Sequence, residues 1–230
     1  MKLAGMQKLT LLDFPGKMAC IIFTAGCNFK CPFCHNASLV NAGNADSIDE
    51  DEVLDFLQKR KGMLEGVVIT GGEPLLHSDI DLFLGKIKDL GYAVKLDTNG
   101  TNPALLKKLV KEKLVDYVAV DIKNSPEKYK TAVGNINLNI DDVSETKEFL
   151  LKGTVDYEFR TTLVKGIHCK EDMLPLVQWI KGAKNYYIQQ YKHSNEVLSP
   201  DGLSEFSKEE MKDFLEIATP FVEKANIRGI

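Results

Sequence analysis

Long hydrophobic runs are missing from this 230-residue sequence, which excludes a membrane-spanning helix. The longest apolar stretch, residues 18–27, is about ten residues long and contains Thr24, whereas a helix that spans a bilayer needs about twenty. Residues 1–16 have no continuous apolar core and no cleavage site of small residues, so a secretory signal is not expected. These absences predict a cytoplasmic protein that has no membrane as a partner.

An excess of basic residues is also missing. The 29 Lys and Arg residues are outnumbered by 33 Asp and Glu residues, which gives a net charge of −4. Proteins that bind nucleic acids usually carry a basic patch or stripe, and the sequence has none. Nucleic acid is therefore not expected as the main partner.

Cysteine is scarce, with five residues in the whole chain, an odd number. Three of them, Cys27, Cys31 and Cys34, lie close together in sequence, whereas a disulfide scaffold would distribute its cysteines. A cluster of this kind indicates metal binding or catalysis. Repeats, low-complexity tracts and Pro/Ser-rich linkers are absent as well, so residues 1–230 are expected to form a single domain.

The sequence does contain alternating signals for strands and helices. Short apolar runs rich in β-branched and aromatic residues, typical of buried strands, occupy residues 18–24, 66–70, 93–97, 117–121, 157–164 and 186–191. Helical periodicity occupies residues 49–61, 79–90, 103–114, 140–152, 171–183 and 207–225. Strand–helix units with short connections predict parallel strands, in either an open doubly wound sheet or an incomplete barrel.

Unusual polar sequences follow the predicted strands where those strands end. They are GCNFKCPFCHN at 26–36, GGEP at 71–74, DTNG at 97–100, DIK at 121–123 and RTT at 160–162. In α/β proteins the chemistry gathers at the carboxyl ends of the strands. These five segments are therefore expected to form one shared site.

The three clustered cysteines supply soft thiolates from one short loop. Structural zinc generally takes four ligands, often from two separated pairs, and here there is no second pair, although His35 is a candidate fourth ligand. An iron–sulfur cluster fits better because thiolates are its usual ligands. Three cysteines on a four-iron cluster leave one iron free to bind and activate a small molecule.

The spacing CxxxCxxC, with Phe33 before the last cysteine, and the Gly71-Gly72-Glu73-Pro74 turn after the next strand resemble the radical S-adenosylmethionine (SAM) superfamily. The two motifs are independent, occur in the right order, and extend the resemblance over most of the chain. The resemblance implies an α/β fold, namely an incomplete (β/α)6 barrel with parallel strands. It also implies a [4Fe-4S] cluster and SAM as cofactors.

Further features are similar to the glycyl-radical-enzyme activases of that superfamily. They are LDFPG at 12–16, CHN at 34–36, and the pair DTNG and DIK. The similarity is first to anaerobic ribonucleoside-triphosphate reductase activating proteins and next to pyruvate formate-lyase activating enzymes. It implies an oxidoreductase that cleaves SAM reductively and installs a glycyl radical on a partner enzyme, here anaerobic ribonucleotide reductase, with a flavodoxin or ferredoxin-type electron donor.

The resemblance implies roles for the motif residues. The cluster would be held by Cys27, Cys31 and Cys34. The residues implied to bind SAM are Phe33, Cys34, His35, Gly71, Gly72, Glu73, Thr98, Asp121, Lys123 and Arg160. Among them, Phe33 would pack by the adenine, and Lys123 and Arg160 would bind the carboxylate of the methionine. A monovalent cation, Na⁺ or K⁺, would be bound by Asp97, Thr98 and Asp121.

One departure concerns the histidine that pyruvate formate-lyase activases carry near the ribose, at the end of the sixth predicted strand. Gln190 and His193 are the candidates here, and the register of the strand leaves that choice open. Outside the motifs, Cys20 is expected to be a core residue, and Cys169 and His77 are expected to be incidental.

Three alternative functions remain at this stage. The chain would act on a small molecule, as a 7-carboxy-7-deazaguanine synthase does, or would activate another glycyl radical enzyme such as pyruvate formate-lyase. In a different class, it would be a non-catalytic zinc or electron-transfer module.

Overall fold

A computed structural model describes residues 1–43, 45–135, 137–194 and 196–230. Eight strands form one sheet in chain order. They are β1 (Leu3–Thr10), β2 (Ala19–Thr24), β3 (Gly66–Gly71), β4 (Ala93–Thr98), β5 (Tyr117–Asp121), β6 (Asp156–Leu163), β7 (Tyr186–Gln190) and β8 (Ala225–Arg228). Strands β2 to β8 are parallel, and β1 pairs with β2 in the antiparallel sense.

The helices lie mainly between the strands and begin at residues that suit a helix start. They are α1 (Ala37–Val40), α2 (Glu50–Lys59), α3 (Ile80–Asp89), α4 (Pro103–Lys111), α5 (Tyr129–Ala132), α6 (Ile140–Leu151), α7 (Lys170–Trp179) and α8 (Lys208–Ala218), with 3₁₀ turns at Pro74–Leu76 and Thr219–Phe221. Asn102 accepts a hydrogen bond from Leu105 N and so caps α4, which has Pro103 in its first turn. In the described part of the chain no helix has the length and hydrophobicity needed to cross a membrane.

The predicted α/β fold with parallel strands is confirmed, and all six predicted strands are present as β2 to β7. Two further strands were not predicted, because only two of the eight residues of β1 are buried and β8 has only four residues. The helix expected over 207–225 ends at Ala218, and Ala225–Arg228 forms β8 instead. Within the described residues β1 and β8 do not pair with each other, so the barrel is open on one side.

The sheet has a different environment on each face. Alternate residues of the strands face the helices and form the main core, for example Cys20, Ile22, Val67 and Ile69. The residues between them face the concave side. There Phe14, from the loop between β1 and β2, packs with Ala19, Ile21 and Val68 in a small second cluster.

The concave side also carries buried charge from strands β4 to β6. Glu158 on β6 is 1% exposed and accepts hydrogen bonds from Arg228 Nη1 and Nη2 on β8, at 2.9 and 3.0 Å. The hydroxyl of Tyr117 donates to the same carboxylate at 3.1 Å. Strands β5, β6 and β8 are therefore joined through one buried carboxylate.

Candidate active site

The carboxyl ends of strands β2 to β7 surround a cavity of about 260 Å³. Every residue predicted for the site lines this cavity, namely Cys27, Cys31, Phe33, Cys34, His35, Gly71, Gly72, Glu73, Asp97, Thr98, Asp121, Lys123 and Arg160. They come from five strand ends because parallel strands bring their carboxyl ends to the same edge of the sheet. The predicted shared site is therefore one physical pocket.

The loop that carries the three cysteines, residues 25–36, is called the cysteine loop below. Its first residues are held by α1, where Gly26 N donates to Leu39 O at 2.7 Å and Cys27 N to Val40 O at 3.1 Å. In its middle, Lys30 N donates to Val133 O at 2.9 Å. These bonds fix the backbone of the loop, so the directions of the cysteine side chains do not depend on a bound metal alone.

The last part of the cysteine loop is held by the chain that follows β7. Leu198 N donates to Cys34 O at 3.0 Å, and Ser199 N donates to Pro32 O at 2.9 Å. A ring nitrogen of His35 lies 2.6 Å from Lys192 O, and the ring packs against Tyr191. His35 is therefore a contact between the cysteine loop and the chain that follows β7.

All five cysteines are free, and three of them face the cavity. Burial raises the pKa of Cys27 to about 12 and that of Cys31 to about 11, so both are thiols at neutral pH until a metal displaces their protons. Among the described residues, no three His, Cys, Asp or Glu side chains converge as tightly as a single ion requires. The donor set at the cavity is three soft thiols, and thiolates are the usual ligands of an iron–sulfur cluster.

The glycines of the Gly71-Gly72 turn permit close contact with the cysteine loop. Gly71 has a φ of +114°, and a Cβ there would lie 2.5 Å from Thr24 N. A Cβ on Gly72 would lie 2.0 Å from Gly26 O. Any larger residue would push the turn away from the cysteine loop, so the two glycines set the distance between the two cavity walls.

Glu73 is buried and links the GGEP turn to the turn after β4. Its carboxylate accepts hydrogen bonds from Thr98 Oγ1 at 2.6 Å, Asn99 N at 2.6 Å and Leu75 N at 3.0 Å. Burial raises its pKa to about 7, against the lowering effect of these donors. Both oxygens already have protein donors. Glu73 therefore lines the cavity and also holds the GGEP turn and the turn after β4 together.

Arg160 lies between two carboxylates at the floor of the cavity. Its Nη1 is 3.0 Å from Asp97 Oδ2, and its Nε is 3.0 Å from Asp121 Oδ1. Lys95 also pairs with Asp97, and Lys123 Nζ is 3.3 Å from Asp121 Oδ2. Burial raises the pKa of Asp121, but the charges of Arg160 and Lys123 outweigh this effect and hold that pKa well below its usual range.

This arrangement bears on the predicted monovalent cation. Asp97 and Asp121 are neutralised by protein cations, and Thr98 donates its hydroxyl hydrogen to Glu73. The oxygen ligands expected for Na⁺ or K⁺ are thus already partnered in this structure. The arrangement gives the cation prediction no support.

Phe33 and Lys123 meet on the side of the cavity between the cysteine loop and the end of β5. Phe33 is 4% exposed, and Lys123 Nζ lies 5.9 Å from the centroid of its ring. The backbone carbonyl of Lys123 accepts a hydrogen bond from His168, which follows β6. An aromatic face and an ammonium group are therefore presented together to the cavity.

Several lining residues were not among the individual residues predicted for the site, namely Phe29, Asn36, Val40, Thr70, Asn99, Thr162 and Gln189. Of these, Phe29, Asn36, Asn99 and Thr162 lie in segments that were expected to form it. Strand alternation was a usable signal for Thr162, which lies two positions after Arg160 and shares its face. Gln189 occupies the end of β7, whereas Gln190 donates to Phe206 O at 2.7 Å and His193 lies outside the lining. Neither strand-end candidate for the histidine position lines the cavity.

Cys20, expected to be a core residue, and Cys169 and His77, expected to be incidental, all lie outside the cavity lining. Cys20 is fully buried in β2, which agrees with its prediction as a core residue. Cys169 is exposed at the start of α7. A ring nitrogen of His77 lies 3.1 Å from Ala25 O, so this side chain supports the start of the cysteine loop from behind.

A second cavity, of about 540 Å³, adjoins the first and shares His35 and Asn36 with it. On one side it is lined by Ala4 and Gly5 of β1, and on the other by Val197 and Leu198. It lies between strand β1, at one edge of the sheet, and the chain that follows β7. The cysteine-lined cavity is thus continued by a wider space at the edge of the barrel.

Known proteins share this arrangement. The family model described as the Radical SAM superfamily matches residues 21–177. A Methanocaldococcus jannaschii protein provisionally named a glycyl-radical enzyme activating enzyme is 33% identical over 240 aligned positions, covering 99% of this chain and 95% of that protein. A pyruvate formate-lyase-activating enzyme of Clostridium pasteurianum is 26% identical over 191 positions, covering 80% of this chain and 78% of that enzyme.

Solved structures show the same fold. SuiB of Streptococcus suis, in a crystal structure with bound S-adenosylmethionine, matches with a TM-score of 0.69 at 16% identity, covering 91% of this chain and 49% of SuiB. The region that the family model matches contains all three clustered cysteines and the GGEP turn. The family implies a [4Fe-4S] cluster and SAM, and the soft thiols at the cavity wall fit such a cluster. The chain belongs to the radical SAM superfamily, among the relatives of the glycyl-radical enzyme activating enzymes.

Proposed function

We propose that this protein activates a glycyl radical enzyme, and that its partner is an anaerobic ribonucleotide reductase. The observation that carries the proposal is that the cysteine loop, the DTNG turn and the DIK segment meet in one cavity. The similarity to activases rests on these same segments, and the M. jannaschii relative extends it over nearly the whole chain.

Cys27, Cys31 and Cys34 would hold three irons of a [4Fe-4S] cluster and leave the fourth for the amino and carboxylate groups of SAM. A bound and reduced cluster would supply the electron for reductive cleavage of the sulfur–C5′ bond of SAM, and this chemistry would allow a hydrogen atom to be removed from a glycine Cα of the partner. The protein supplies orientation and excludes water around these groups. A flavodoxin or ferredoxin-type protein would deliver the electron.

The remaining lining residues would bind SAM by complementary chemistry. Lys123 presents an ammonium group to the SAM carboxylate. Arg160 would add a planar donor while keeping its bonds to Asp97 and Asp121. Phe33 supplies an apolar face for the adenine, and the backbone of Cys34 and His35 supplies polar groups beside it.

The GGEP and DTNG turns would bind the methionine end of SAM. The backbone of Gly71 and Gly72 lines the cavity, as does Glu73, whose carboxylate would also meet the ammonium of the methionine. Thr98 would act through Glu73, to which it donates a hydrogen bond at 2.6 Å.

The second cavity supports a macromolecular substrate. It adjoins the thiol-lined cavity through His35 and Asn36 and lies at the edge of the open barrel. A glycine-bearing segment of a large partner can reach the cofactor from this side without entering the barrel as a free molecule. A small-molecule substrate does not require such a space.

Two features favour ribonucleotide reductase over pyruvate formate-lyase as the partner. The sequence motifs resemble the reductase activating proteins first, and Gln189 lines the cavity near the end of β7, in the region where pyruvate formate-lyase activases carry histidine. These features bear only on the identity of the partner enzyme, and the proposed reaction at the cluster is the same for both partners.

The test is anaerobic incubation of the reconstituted protein with a chemical reductant, SAM and an anaerobic ribonucleotide reductase. We expect a glycine-centred EPR doublet that collapses when the reductase carries deuterated glycine, together with formation of 5′-deoxyadenosine. The matched control is the Cys31→Ala variant, which should give neither product.

Other outcomes of the same assay would redirect the proposal. A doublet on pyruvate formate-lyase but not on the reductase would keep the activase function and replace the partner. SAM consumption that depends on a 7-deazaguanine precursor, with no glycyl radical on either enzyme, would replace the function.

A further inference from the structure

We propose that His168 is a positioning residue for SAM, holding Lys123 and Phe33 in the geometry that binds the cofactor. The inference rests only on the SAM-binding part of the proposed function and not on the partner. His168 lies outside every motif that identified the site, and it does not line the cavity among the described residues. Its contacts place it directly behind two residues that do.

Both ring nitrogens of His168 are used. Val164 N donates to Nδ1 at 3.1 Å, so Nδ1 carries no hydrogen. Nε2 then carries the hydrogen and donates it to Lys123 O at 2.8 Å. The ring therefore exists as one neutral tautomer that joins the turn after β6 to the segment after β5.

The same ring also supports the aromatic wall of the cavity. It packs edge-on against Phe33, with 6.1 Å between ring centroids and 65° between ring planes. Phe33 in turn lies 5.9 Å from Lys123 Nζ. One side chain thus contacts the backbone of the ammonium-bearing residue and the side chain of the aromatic residue.

The environment of His168 keeps it neutral. The residue is 5% exposed, and burial lowers its pKa below the usual value. A neutral ring preserves the acceptor at Nδ1 and the donor at Nε2, which both bonds require. A buried, fully hydrogen-bonded imidazole between two loops is a rigid support for groups that must meet a ligand.

Lys123 depends on this support because its backbone follows the end of β5 and leaves the sheet. Its ammonium is directed by Asp121 at 3.3 Å, and its carbonyl is held by His168. Without the bond from Nε2, the carbonyl of Lys123 loses this partner, and the backbone that carries the ammonium is held less firmly toward the cavity. Loss of this bond should therefore weaken SAM binding in the same way as a loss of the contact between the Lys123 ammonium and SAM.

A matched pair of substitutions separates the two bonds. His168→Gln places an amide nitrogen near the position of Nε2 and keeps the donor to Lys123 O, whereas His168→Asn places an amide oxygen near Nδ1 and keeps only the acceptor for Val164 N. We expect His168→Asn to raise the dissociation constant of SAM about tenfold, as loss of one charge-orienting bond would. His168→Gln should stay within about threefold of the wild type.

The measurements are iron content, SAM affinity by anaerobic calorimetry, and the change that SAM produces in the EPR spectrum of the reduced cluster. Iron content should be the same in all variants, and the SAM-induced spectral change should be diminished only in His168→Asn. His193→Asn is the control, since His193 is exposed and lies outside the cavity lining. It should behave as the wild type.

Two results would overturn the inference while leaving the proposed function standing. One is equal SAM affinity in the wild type and His168→Asn, and the other is loss of iron from both His168 variants, which would mark a purely structural role. If the wild type binds no SAM, the proposed function fails first and the inference fails with it. Absence of a glycyl radical on the partner leaves the affinity comparison intact.

Discussion

At the scale of single residues, the three clustered cysteines differ from the other two in what surrounds them. Cys27, Cys31 and Cys34 line a cavity in which their sulfur atoms can meet a ligand. Cys20 is packed in the core, and Cys169 is exposed beside a helix start. This difference predicts which cysteines hold iron.

Replacing Cys31 with alanine should reduce the iron content and the visible absorption of the reconstituted protein nearly to background, because two thiolates do not hold a four-iron cluster. Cys169→Ala is the matched control and should keep the full iron content. Iron and sulfide analysis of both proteins after anaerobic reconstitution checks the prediction. Loss of iron from the Cys169 variant would mean that the ligand set is wrong.

Glu73 predicts a pH dependence of stability. Burial raises its pKa from 4.5 to about 7 in the folded protein. The folded protein therefore binds the proton of Glu73 more tightly than the unfolded chain does. The stability that this gives is complete below a pH of about 4.5, is lost as the pH rises through about 7, and does not recover above it. The unfolding free energy of the apoprotein, relative to that of Glu73→Gln, should fall between about pH 5 and pH 8.

Urea unfolding of the two apoproteins at several pH values measures this difference. The glutamine side chain also changes the hydrogen bonds with Thr98, Asn99 and Leu75, and that cost adds an offset that is independent of pH. Parallel stability curves for the two proteins would contradict the raised pKa of Glu73.

At the scale of elements, the loop between β1 and β2 is packed against the start of β3. Phe14 is 3% exposed, and a Cβ on Gly66 would lie 2.7 Å from its ring. The loop therefore closes the concave side of the sheet at the end opposite the cysteines. Its packing determines how firmly β1 is attached.

Gly66→Ala should destabilise the protein by about 1 to 3 kcal/mol, because the added methyl group overlaps the ring of Phe14. Phe14→Leu in the same chain should recover part of that loss, since the smaller side chain leaves room. Gly85→Ala in α3 is the control, because a Cβ there meets nothing within 4 Å, and it should be neutral or slightly stabilising. Chemical unfolding of these three variants, the Phe14→Leu single variant and the wild type tests the contact, and additive effects of the two substitutions would argue against it.

The sequence predicted the central elements well and the edge elements poorly, for a physical reason. Strands β2 to β7 are covered by helices on one face, so most appear as apolar runs that are visible in the sequence. Only two of the eight residues of β1 are buried, and β8 has four residues of which none is fully buried. Their formation depends on pairing with a neighbour, and local sequence carries little record of that pairing.

Helix α8 is a case in which the sequence pattern predicted too long an element. The periodic pattern continued to residue 225, but the helix ends at Ala218 and a 3₁₀ turn containing Pro220 follows. Proline cannot donate the backbone hydrogen bond that would continue the helix. The chain then enters the sheet because Glu158 offers a buried partner for Arg228, a contact that no local pattern reveals.

At the scale of the whole molecule, Arg228 joins the last strand to the interior of the barrel. Its guanidinium makes two hydrogen bonds to Glu158, which is 1% exposed, and it stacks on the ring of Tyr187 at 3.3 Å. Removing it leaves a buried carboxylate with Tyr117 and a more distant Arg160 as partners. This ion pair therefore reinforces the edge strand β8, which also pairs with β7 along its backbone.

Arg228→Ala should cost about 3 kcal/mol of unfolding free energy, as the loss of one partner of a buried pair typically does. Adding Glu158→Gln should recover part of that cost because the unpaired charge disappears. Lys170→Ala is the control, since its pair with Asp213 is exposed and should contribute less than about 1 kcal/mol. Equal effects of Arg228→Ala and Lys170→Ala in urea unfolding would refute the role of Arg228.

The candidate site was more predictable than the edges of the fold, because its residues lie in short motifs at strand ends. All thirteen predicted residues line the same cavity. What the sequence did not reveal are contacts between loops, such as the bond from His168 to Lys123 and the one from Leu198 to Cys34. These join positions far apart in the chain, and only the folded sheet brings them together.

The attachment of the cysteine loop to the chain after β7 has a consequence for biosynthesis. His35 and its partner Lys192 are separated by 157 positions, so the cysteines leave the ribosome well before the backbone that holds them has been made. At roughly 5 to 20 residues per second, that delay lasts about eight to thirty seconds. Insertion of iron and sulfide into a correctly shaped loop therefore follows translation of the later strands, and the nascent thiols need protection from oxidation or from competing metals until then.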